Sequence, residues 1–548
     1  MKKMFFSLVA IVLCAAVFTG CKDDDNDPNA PLVAITLSET SKILKPADVF
    51  NLTVNFFPVN AGNKELEWTS DDESVATVDS EGKVTAHSEG TATIKATAKS
   101  NTTIYAECFV TVTLDDFGTQ SGAVEGVWTK HSVVFVNDQI WVEKGKSLTV
   151  EEGVTIIIQD GPVGESGAPI EFFVDGNLYM KGSKEYPILV TVAENKRTEA
   201  NRYAGLWGGF VGGDNCAEML FDNVIIEYTG AMVKATSQSV IAGFNVADDD
   251  KTAQILTNNT ESKIVVINST FRYANSDAMY FMGGRAIVAN NLVHTIGETD
   301  NDGINMKAGV QVDIAYNLTF AVNSNALKLS SSGESPARRQ ARIRAFNNTI
   351  VNSGWRRMKN TKGGSIFVEK NASASVYNNL IVNSKFMTKT PKWNQPDPSN
   401  GAHHSSIIDY NFYASGSQST ANTLDPNLYP TAFAGYTFPD GDYWHDGRNG
   451  TTIVDGNSLV ATSAGTPDPN FVNFGFNTVA LDRDMYDASW DFRVQAGSPV
   501  LVGSGGKQPR NDFSGSFAPF FGATGLTVGG VEYKTPAPSP RYGAFGTN

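Results

Sequence analysis

A short phrase recurs through the middle of the chain: an asparagine followed by apolar residues or threonine. It starts at Asn223, Asn268, Asn291, Asn317, Asn348 and Asn379. From Asn268 onward the steps are 23, 26, 31 and 31 residues, a period typical of solenoids. The apolar runs are short and rich in Val, Ile and Phe, which indicates strands. The sequence therefore predicts a right-handed parallel β-helix, in which equivalent positions of stacked coils form ladders of asparagine and apolar side chains.

Three consecutive coils can be aligned at residues 277–282, 302–307 and 325–330. Because strand side chains alternate between two faces, the alignment separates inward from outward positions. The inward set is uniformly apolar and comprises Met279, Ile304, Leu327, Phe281, Met306 and Leu329. The outward set comprises Tyr280, Asn305, Lys328, Met282, Lys307 and Ser330. Asp277, Asp302 and Asn325 precede the strands and are predicted to form a turn ladder.

The outward strip carries side chains that suit a glycan. Amides and carboxylates bond sugar hydroxyls, aromatic rings stack on sugar faces, and cations pair with uronate carboxylates. The predicted ligand-binding residues are Asp277, Tyr280, Asp302, Asn305, Lys307, Lys328, Trp355 and Arg357. The alternative interpretation is purely structural, with Asp and Asn capping coil turns and lysines simply solvated.

Catalysis is a second interpretation of the same strip. A β-helix lyase needs a cation to neutralise the uronate, often calcium held by carboxylates, and a Lys or Arg as base. Asp277, Asp300 and Asp302 are candidate calcium ligands, and Lys307 and Arg357 are candidate catalytic residues. The strip contains no clear match to the motifs of known β-helix lyases or glycosidases.

A different pattern occupies residues 33–114, where short alternating runs are broken by turn residues. Several strands at this spacing predict an all-β sandwich. The segments Leu66–Ser70, Ser74–Val78, Gly82–Ala86 and Gly90–Ile94 resemble the bacterial immunoglobulin-like domain of group 2. That resemblance implies a spacer or an adhesive module, and a spacer is the default because the segment carries no chemical motif.

Residues 120–548 resemble the pectate-lyase-like parallel β-helix superfamily, and in particular surface lipoproteins in which such a helix follows an immunoglobulin-like spacer. The motifs are Gly205–Phe210, Val224–Gly230, the paired phrase at 172–191, and closing segments Asp491–Val500 and Tyr542–Gly546. Regular coils are expected at about 130–385, long loops at 385–480 and a closing segment at 480–548. The resemblance implies the fold and not the activity, because this fold carries lyases, hydrolases, esterases, adhesins and binding modules.

The start of the chain resembles a bacterial lipoprotein leader. Lys2 and Lys3 precede an apolar run too short to span a bilayer, and Thr19-Gly20-Cys21 resembles the lipobox. Residues 1–20 are therefore the expected signal peptide and Cys21 the expected site of lipid attachment. The acidic stretch in residues 21–32 is a predicted tether, and it resembles the signal that exports lipoproteins to the outer face of the outer membrane.

Composition narrows the possible partners. The 548-residue chain has a net charge of −15 and a pI of about 4.9, which disfavours nucleic acid and anionic lipid surfaces. No Cys/His spacing indicates zinc, and Cys108 and Cys216 fall in different predicted domains, which disfavours a disulfide.

Three hypotheses for function follow from these patterns. The first is recognition of a polysaccharide or host glycan at the cell surface, with neighbouring surface transport proteins as expected partners. The second is a polysaccharide lyase or glycoside hydrolase acting on an acidic glycan. The third is an adhesin or structural surface protein.

Overall fold

The computed structural model describes residues 30–45, 48–113, 116–357, 363–391, 400–418, 456–461 and 465–547. Cys21 lies outside these ranges, and so do Trp393, Tyr443 and Trp444, aromatic residues of the expected loops at 385–480 whose rings are candidates for stacking on a sugar. The fold is all-β, as predicted, and divides into two compact units, one centred on residues 30–113 and one that begins at residue 119. In the described ranges, none of the helices has both the length and the apolar character needed to cross a membrane.

The first unit is a β-sandwich of short strands, as the alternating runs predict. A four-stranded sheet comprises Ser41–Leu44, Tyr105–Val112, Gly90–Ala98 and Leu66–Ser70. A three-stranded sheet comprises Val49–Asn51, Lys83–Ala86 and Ala76–Val78, and a pair comprises Ala34–Leu37 and Val54–Phe57. Inward residues such as Ile94 and Val110 form the core, and Trp68 packs against it. Gly82 is required at its turn, because its φ is +83° and a Cβ would lie 2.7 Å from the Leu52 carbonyl oxygen.

The second unit contains three stacks of parallel strands, which we call sheets 1, 2 and 3 in the order in which each coil visits them. Sheet 1 comprises Val133–Val142, Phe172–Val174, Phe210–Gly212, Ile255–Thr257, Met279–Phe281, Ile304–Met306, Asn325–Ser330 and Gly364–Glu369. Sheet 2 comprises Gly126–Trp128, Ser147–Glu151, Asn177–Lys181, Glu218–Asp222, Lys263–Ile267, Gly284–Ala289, Val310–Ala315, Arg342–Phe346, Ser373–Tyr377 and Ile407–Ile408. Sheet 3 comprises Thr155–Ile158, Ile188–Val192, Val224–Ile226, Thr270–Ala274, Leu292–Ile296, Leu318–Phe320, Thr349–Val351, Leu380–Val382, Phe412–Ala414 and Leu459–Val460.

Remaining elements are short. Asp116–Ala123 adds a strand beside sheet 1, and three antiparallel pairs join Pro162–Val163 to Ala168–Pro169, Phe471–Asn473 to Asp491–Val494, and Leu526–Val528 to Val531–Tyr533. The helices are Gln238–Ile241 and Pro499–Val502, with 3₁₀ turns at Glu194–Lys196, Glu199–Asn201 and Gly515–Phe517. The second unit is thus a parallel β-helix with short additions.

The predicted register of sheet 1 is confirmed. Met279 pairs with Ile304 and Ile304 with Leu327, and these side chains are fully buried inside the coils. Tyr280, Asn305 and Lys328 form the adjacent outward row. The alternation of apolar and polar residues is sufficient to determine the register here, because a shift of one residue would turn the apolar set outward.

An asparagine ladder runs between sheets 2 and 3, as predicted. Its rungs are Asn291, Asn317, Asn348, Asn379 and Asn411, and each side-chain amide donates to the next Oδ1 at 2.9 Å. The alignment of Asn268 with Asn291 is wrong by one residue. Ser269 occupies the ladder position and its backbone N–H donates to Asn291 Oδ1 at 3.0 Å. Asn268 instead lies at the preceding turn with a φ of +53°, a conformation that asparagine tolerates better than most residues.

The chain covers two of its own three sheets. Phe517, Phe521, Leu526 and Val528 pack on the outer face of sheet 2, where buried Asp313 accepts hydrogen bonds from the backbone of Phe520 and Phe521 and from Thr535 Oγ1 at 3.0, 2.9 and 2.6 Å. Phe471, Phe474, Phe492 and Val500 pack on the outer face of sheet 3. The closing segment therefore covers the apolar outer rows of sheets 2 and 3, and its described residues take no part in the apolar cluster on the outer face of sheet 1.

Candidate functional site

The candidate site lies on the outer face of sheet 1, over the coils that contain Met279, Ile304 and Leu327. Its outward row is Tyr280, Asn305 and Lys328. Parallel strands lie about 4.8 Å apart, so the row spans about 10 Å from Tyr280 to Lys328. A second outward row contains Lys307, two residues beyond Asn305 along the strand, followed across the sheet by Ser330 and Glu369.

Two aspartates stack at the edge of this row. Asp277 Oδ1 accepts the backbone N–H of Asp302 at 2.7 Å, and Asp302 Oδ1 accepts the backbone and side-chain N–H groups of Asn325 at 2.9 and 2.8 Å. This is the predicted turn ladder. One carboxylate oxygen of each aspartate thus supports the turn, and the other oxygens are directed toward Asn305, whose Nδ2 lies 2.8 Å from Asp277 Oδ2 and 3.3 Å from Asp302 Oδ2.

Asn305 has an unused acceptor. Only 3% of the residue is exposed, and its Oδ1 has no hydrogen-bond partner among the described residues. The side-chain amide cannot exchange its two ends without losing both bonds to the aspartates. A buried polar atom without a partner is costly, so this oxygen is a position where an internal water would add a hydrogen bond.

The aspartates differ from ordinary surface carboxylates. Burial, together with the neighbouring charge of Asp302, raises the pKa of Asp277 to about 7. Near neutral pH, Asp277 is therefore a mixture of carboxylic acid and carboxylate, so that its oxygen can both donate to and accept from a hydroxyl.

The two lysines of the site have different surroundings. Lys328 Nζ lies 3.6 Å from Asp302 Oδ2 and 3.8 Å from Glu369 Oε1. Burial acts to lower the pKa of Lys328, but these carboxylates outweigh it and raise the pKa. Lys307 Nζ lies 4.9 Å from the centroid of the Tyr280 ring, and no described carboxylate lies within 4.0 Å of it. Burial, and then the nearby Lys328, lower the pKa of Lys307.

Three predicted site residues do not join this group. Trp355 is 2% exposed and its Nε1 donates to the Asn383 carbonyl, so it cannot offer its ring to a sugar. Arg357 pairs with Asp300 and donates to the Thr299 carbonyl oxygen at 2.8 Å. Asp300 thus has Arg357 as its partner, whereas the oxygens of Asp277 and Asp302 bond to Asn305 and to the turn ladder. In the part of the chain that the structure describes, no three His, Cys, Asp or Glu side chains group in a way that could hold a metal ion.

Glu369 is a site residue that the sequence analysis missed. It pairs in register with Ser330 and faces Lys328. Extending the alignment of coils to Gly364–Glu369 would have found it, but the step of 39 residues from Asn325 to its partner Gly364 is longer than the steps before it and hides the repeat.

The comparisons with known proteins concern the first unit. Residues 32–108 match the bacterial Ig-like domain family, group 2, which confirms the resemblance and agrees with the observed sandwich. Domains of this family occur in bacterial surface proteins, so the chain has the character of a surface or adhesion-related protein. No curated protein matches the chain.

Proposed function

We propose that the outer face of sheet 1 binds an acidic polysaccharide or host glycan at the bacterial cell surface. The observation that carries this proposal is Lys307, a half-buried cation beside an aromatic ring and without a described carboxylate partner. A ligand carboxylate or sulfate would provide the missing counter-charge, and such charge-assisted hydrogen bonds are among the strong ones in proteins.

The neighbouring groups suit the rest of a sugar. Tyr280 offers an aromatic edge beside Lys307, and the partly exposed side chains of Lys328 and Glu369 lie in the same two rows. Sugar hydroxyls need both donors and acceptors at short intervals, and a site lined by a few convergent polar groups provides them.

We expect Lys307→Ala to weaken binding to an acidic glycan by about 10- to 100-fold, since a hydrogen bond to a charged group contributes about 1.5 to 3 kcal/mol. Affinity electrophoresis and calorimetry against polygalacturonate, alginate, hyaluronate and a neutral polymer measure this. The matched control is Lys184→Ala, which removes an exposed lysine from a loop of the same unit.

Two outcomes would contradict the proposal: no retardation of the wild-type protein by any polymer, or equal affinity of the Lys307→Ala variant and the wild type. Shortening of a polymer in the same mixtures would assign a lyase or hydrolase to this face instead of a binding function.

We also propose that lipid on Cys21 holds the protein to the outer membrane, with the first unit as spacer. Attached acyl chains anchor a protein because each buried CH₂ contributes about 0.8 kcal/mol. Cys21→Ser is expected to move the protein from the membrane to the soluble fraction and to abolish incorporation of a labelled fatty acid. Cys14→Ser is the matched control, because Cys14 lies within the expected leader and should be removed with it. A Cys21→Ser variant that stays labelled and membrane-bound would disprove the anchor.

A further inference from the structure

The candidate site is closed at one end by an excursion of the chain, which we define as residues 233–250. The excursion begins and ends at neighbouring positions of the coil, because the residues that flank it, Met232 and Lys251, form an antiparallel bridge. Upstream of Tyr280 in the outward row lie Val211 and then Leu256, and both are buried, in a cluster that includes Phe244 from the excursion. The outward row is therefore covered by Phe244 at Val211 and Leu256, and it becomes partly exposed at the next position, Tyr280.

The excursion is firmly attached. Glu171, on the outer side of an earlier coil and 1% exposed, accepts hydrogen bonds from the backbone N–H of Ser239 at 2.8 Å, from Ser239 Oγ at 2.6 Å and from Thr252 Oγ1 at 2.6 Å. A buried carboxylate that accepts three hydrogen bonds holds its partners strongly, because losing them would leave it unsatisfied. The excursion is thus part of the folded surface.

A second barrier runs along one long side. Arg338 extends from the exposed loop 332–340, and its guanidinium donates to the Asn258 carbonyl oxygen at 3.0 Å and also bonds Asn258 Oδ1 and the Met282 carbonyl. Asn258 and Met282 precede Lys307 in the second outward row. A polymer that lay along the coils past Tyr280 would meet the excursion, and one that crossed near Met282 would meet Arg338.

We infer that this face takes the terminal residues of a glycan chain and excludes internal segments, because the excursion and Arg338 block continuation of the chain beyond Tyr280. The inference rests on the proposed glycan binding and adds the part of the polymer that is bound. Phe244 and Arg338 are then specificity-determining residues, and Lys307, Lys328 and Tyr280 contact the terminal sugars.

The test compares chains of one acidic polymer that differ only in length. For each polymer that retards the protein, size-fractionated fragments are titrated by calorimetry, and the Kd is expressed per mole of chains. Terminal recognition predicts a Kd per chain that is constant once the fragments exceed a few sugars. Internal recognition predicts a Kd per chain that falls in proportion to length, because each added sugar adds a site, and this result would overturn the inference while leaving glycan binding intact. Absence of binding to every polymer would overturn the proposed function and this inference with it.

A variant supplies the reciprocal test. Replacing residues 234–249 with a short glycine linker, together with Glu171→Gln to avoid an unpaired buried charge, removes the end wall. The ends already lie together, since Val233 N–H donates to the Asp250 carbonyl oxygen at 3.1 Å. Binding by this variant is expected to become dependent on chain length. Arg338→Ala opens the side barrier without a deletion and tests the same point if the shortened chain does not fold. Retention of length-independent binding by both variants would show that these barriers do not select chain ends.

Discussion

Replacement of Asn348 with alanine is expected to destabilise the β-helix unit by about 3 to 6 kcal/mol, because several buried groups lose their partners at about 1 to 3 kcal/mol each. Asn348 Oδ1 accepts the backbone and side-chain N–H groups of Asn317 at 3.0 and 2.9 Å. Its Nδ2 donates to the Ile314 carbonyl oxygen and to Asn379 Oδ1, both at 2.9 Å. Alanine satisfies none of these groups, and the closely stacked coils leave no route for bulk water.

Serine at the same position is the informative comparison. Ser269 and Ser458 occupy the two ends of the ladder, where the hydroxyl accepts the backbone N–H of Val224 at 3.0 Å and of Asn411 at 2.7 Å. Asn348→Ser therefore keeps an acceptor and should lose clearly less stability than Asn348→Ala. Denaturant unfolding of the second unit, followed by circular dichroism, measures both variants. Equal stability of the two variants would mean that the hydrogen bonds of the ladder do not contribute to the free energy of unfolding and that only the packing of its side chains does.

The regular part of the fold was predictable because its signals are local. Short apolar runs indicated strands, and three coils of near-equal length could be aligned so that Met279, Ile304 and Leu327 shared one face. The error at Asn268 has a physical origin: two adjacent positions, the turn and the ladder, both favour asparagine. Ser269 shows that a hydroxyl can also fill the ladder position, so residue type alone does not separate the two.

The candidate site was predictable only where the coil length stays regular. Asp277, Asp302, Asn305 and Lys328 lie in three coils of similar length, and they meet as expected. The following coil is longer, and so the position of Trp355 could not be read from the repeat. Its burial depends on Asn383, a residue of the next coil.

The covering of the coils could not have been predicted from local pattern at all. Asp313 bonds Phe521 across more than two hundred residues of sequence, and Glu218 accepts the backbone N–H of Gly529 at 2.8 Å. Contacts at such separation have no periodic signal. They nevertheless limit where a ligand can bind, because they cover the apolar rows on the outer faces of sheets 2 and 3 and do not involve the polar strip of sheet 1.

Replacement of Asp277 with asparagine is expected to change how the free energy of unfolding depends on pH, because Asp277 is a buried carboxyl within that strip. The pKa of Asp277 is raised by burial and by Asp302 to about 7, against about 3.9 in an unfolded chain. A carboxyl with a raised pKa contributes stability that is fully present below pH 4 and is lost as the pH rises through 7, because the unfolded chain releases its proton first. At 1.36 kcal/mol per pH unit, this loss amounts to about 4 kcal/mol at most.

Asparagine resembles the protonated acid and cannot ionise. It keeps an oxygen for the backbone N–H of Asp302, but its Nδ2 takes the place of the oxygen that accepts from Asn305 Nδ2, so the variant should be less stable than the wild type at pH 4.5 by about 1 to 3 kcal/mol. Between pH 4.5 and pH 8 the difference in stability should shift in favour of the variant by about 2 to 4 kcal/mol. Denaturant unfolding at pH 4.5, 6 and 8 measures the difference. Asp300→Asn is the matched control, because it makes the same change at a largely exposed carboxylate in place of a buried one. The prediction would be contradicted if the difference in stability between Asp277→Asn and the wild type stayed constant from pH 4.5 to 8. Asp277 would then not change its protonation state in the folded protein over this range, and burial would not hold its proton near neutral pH.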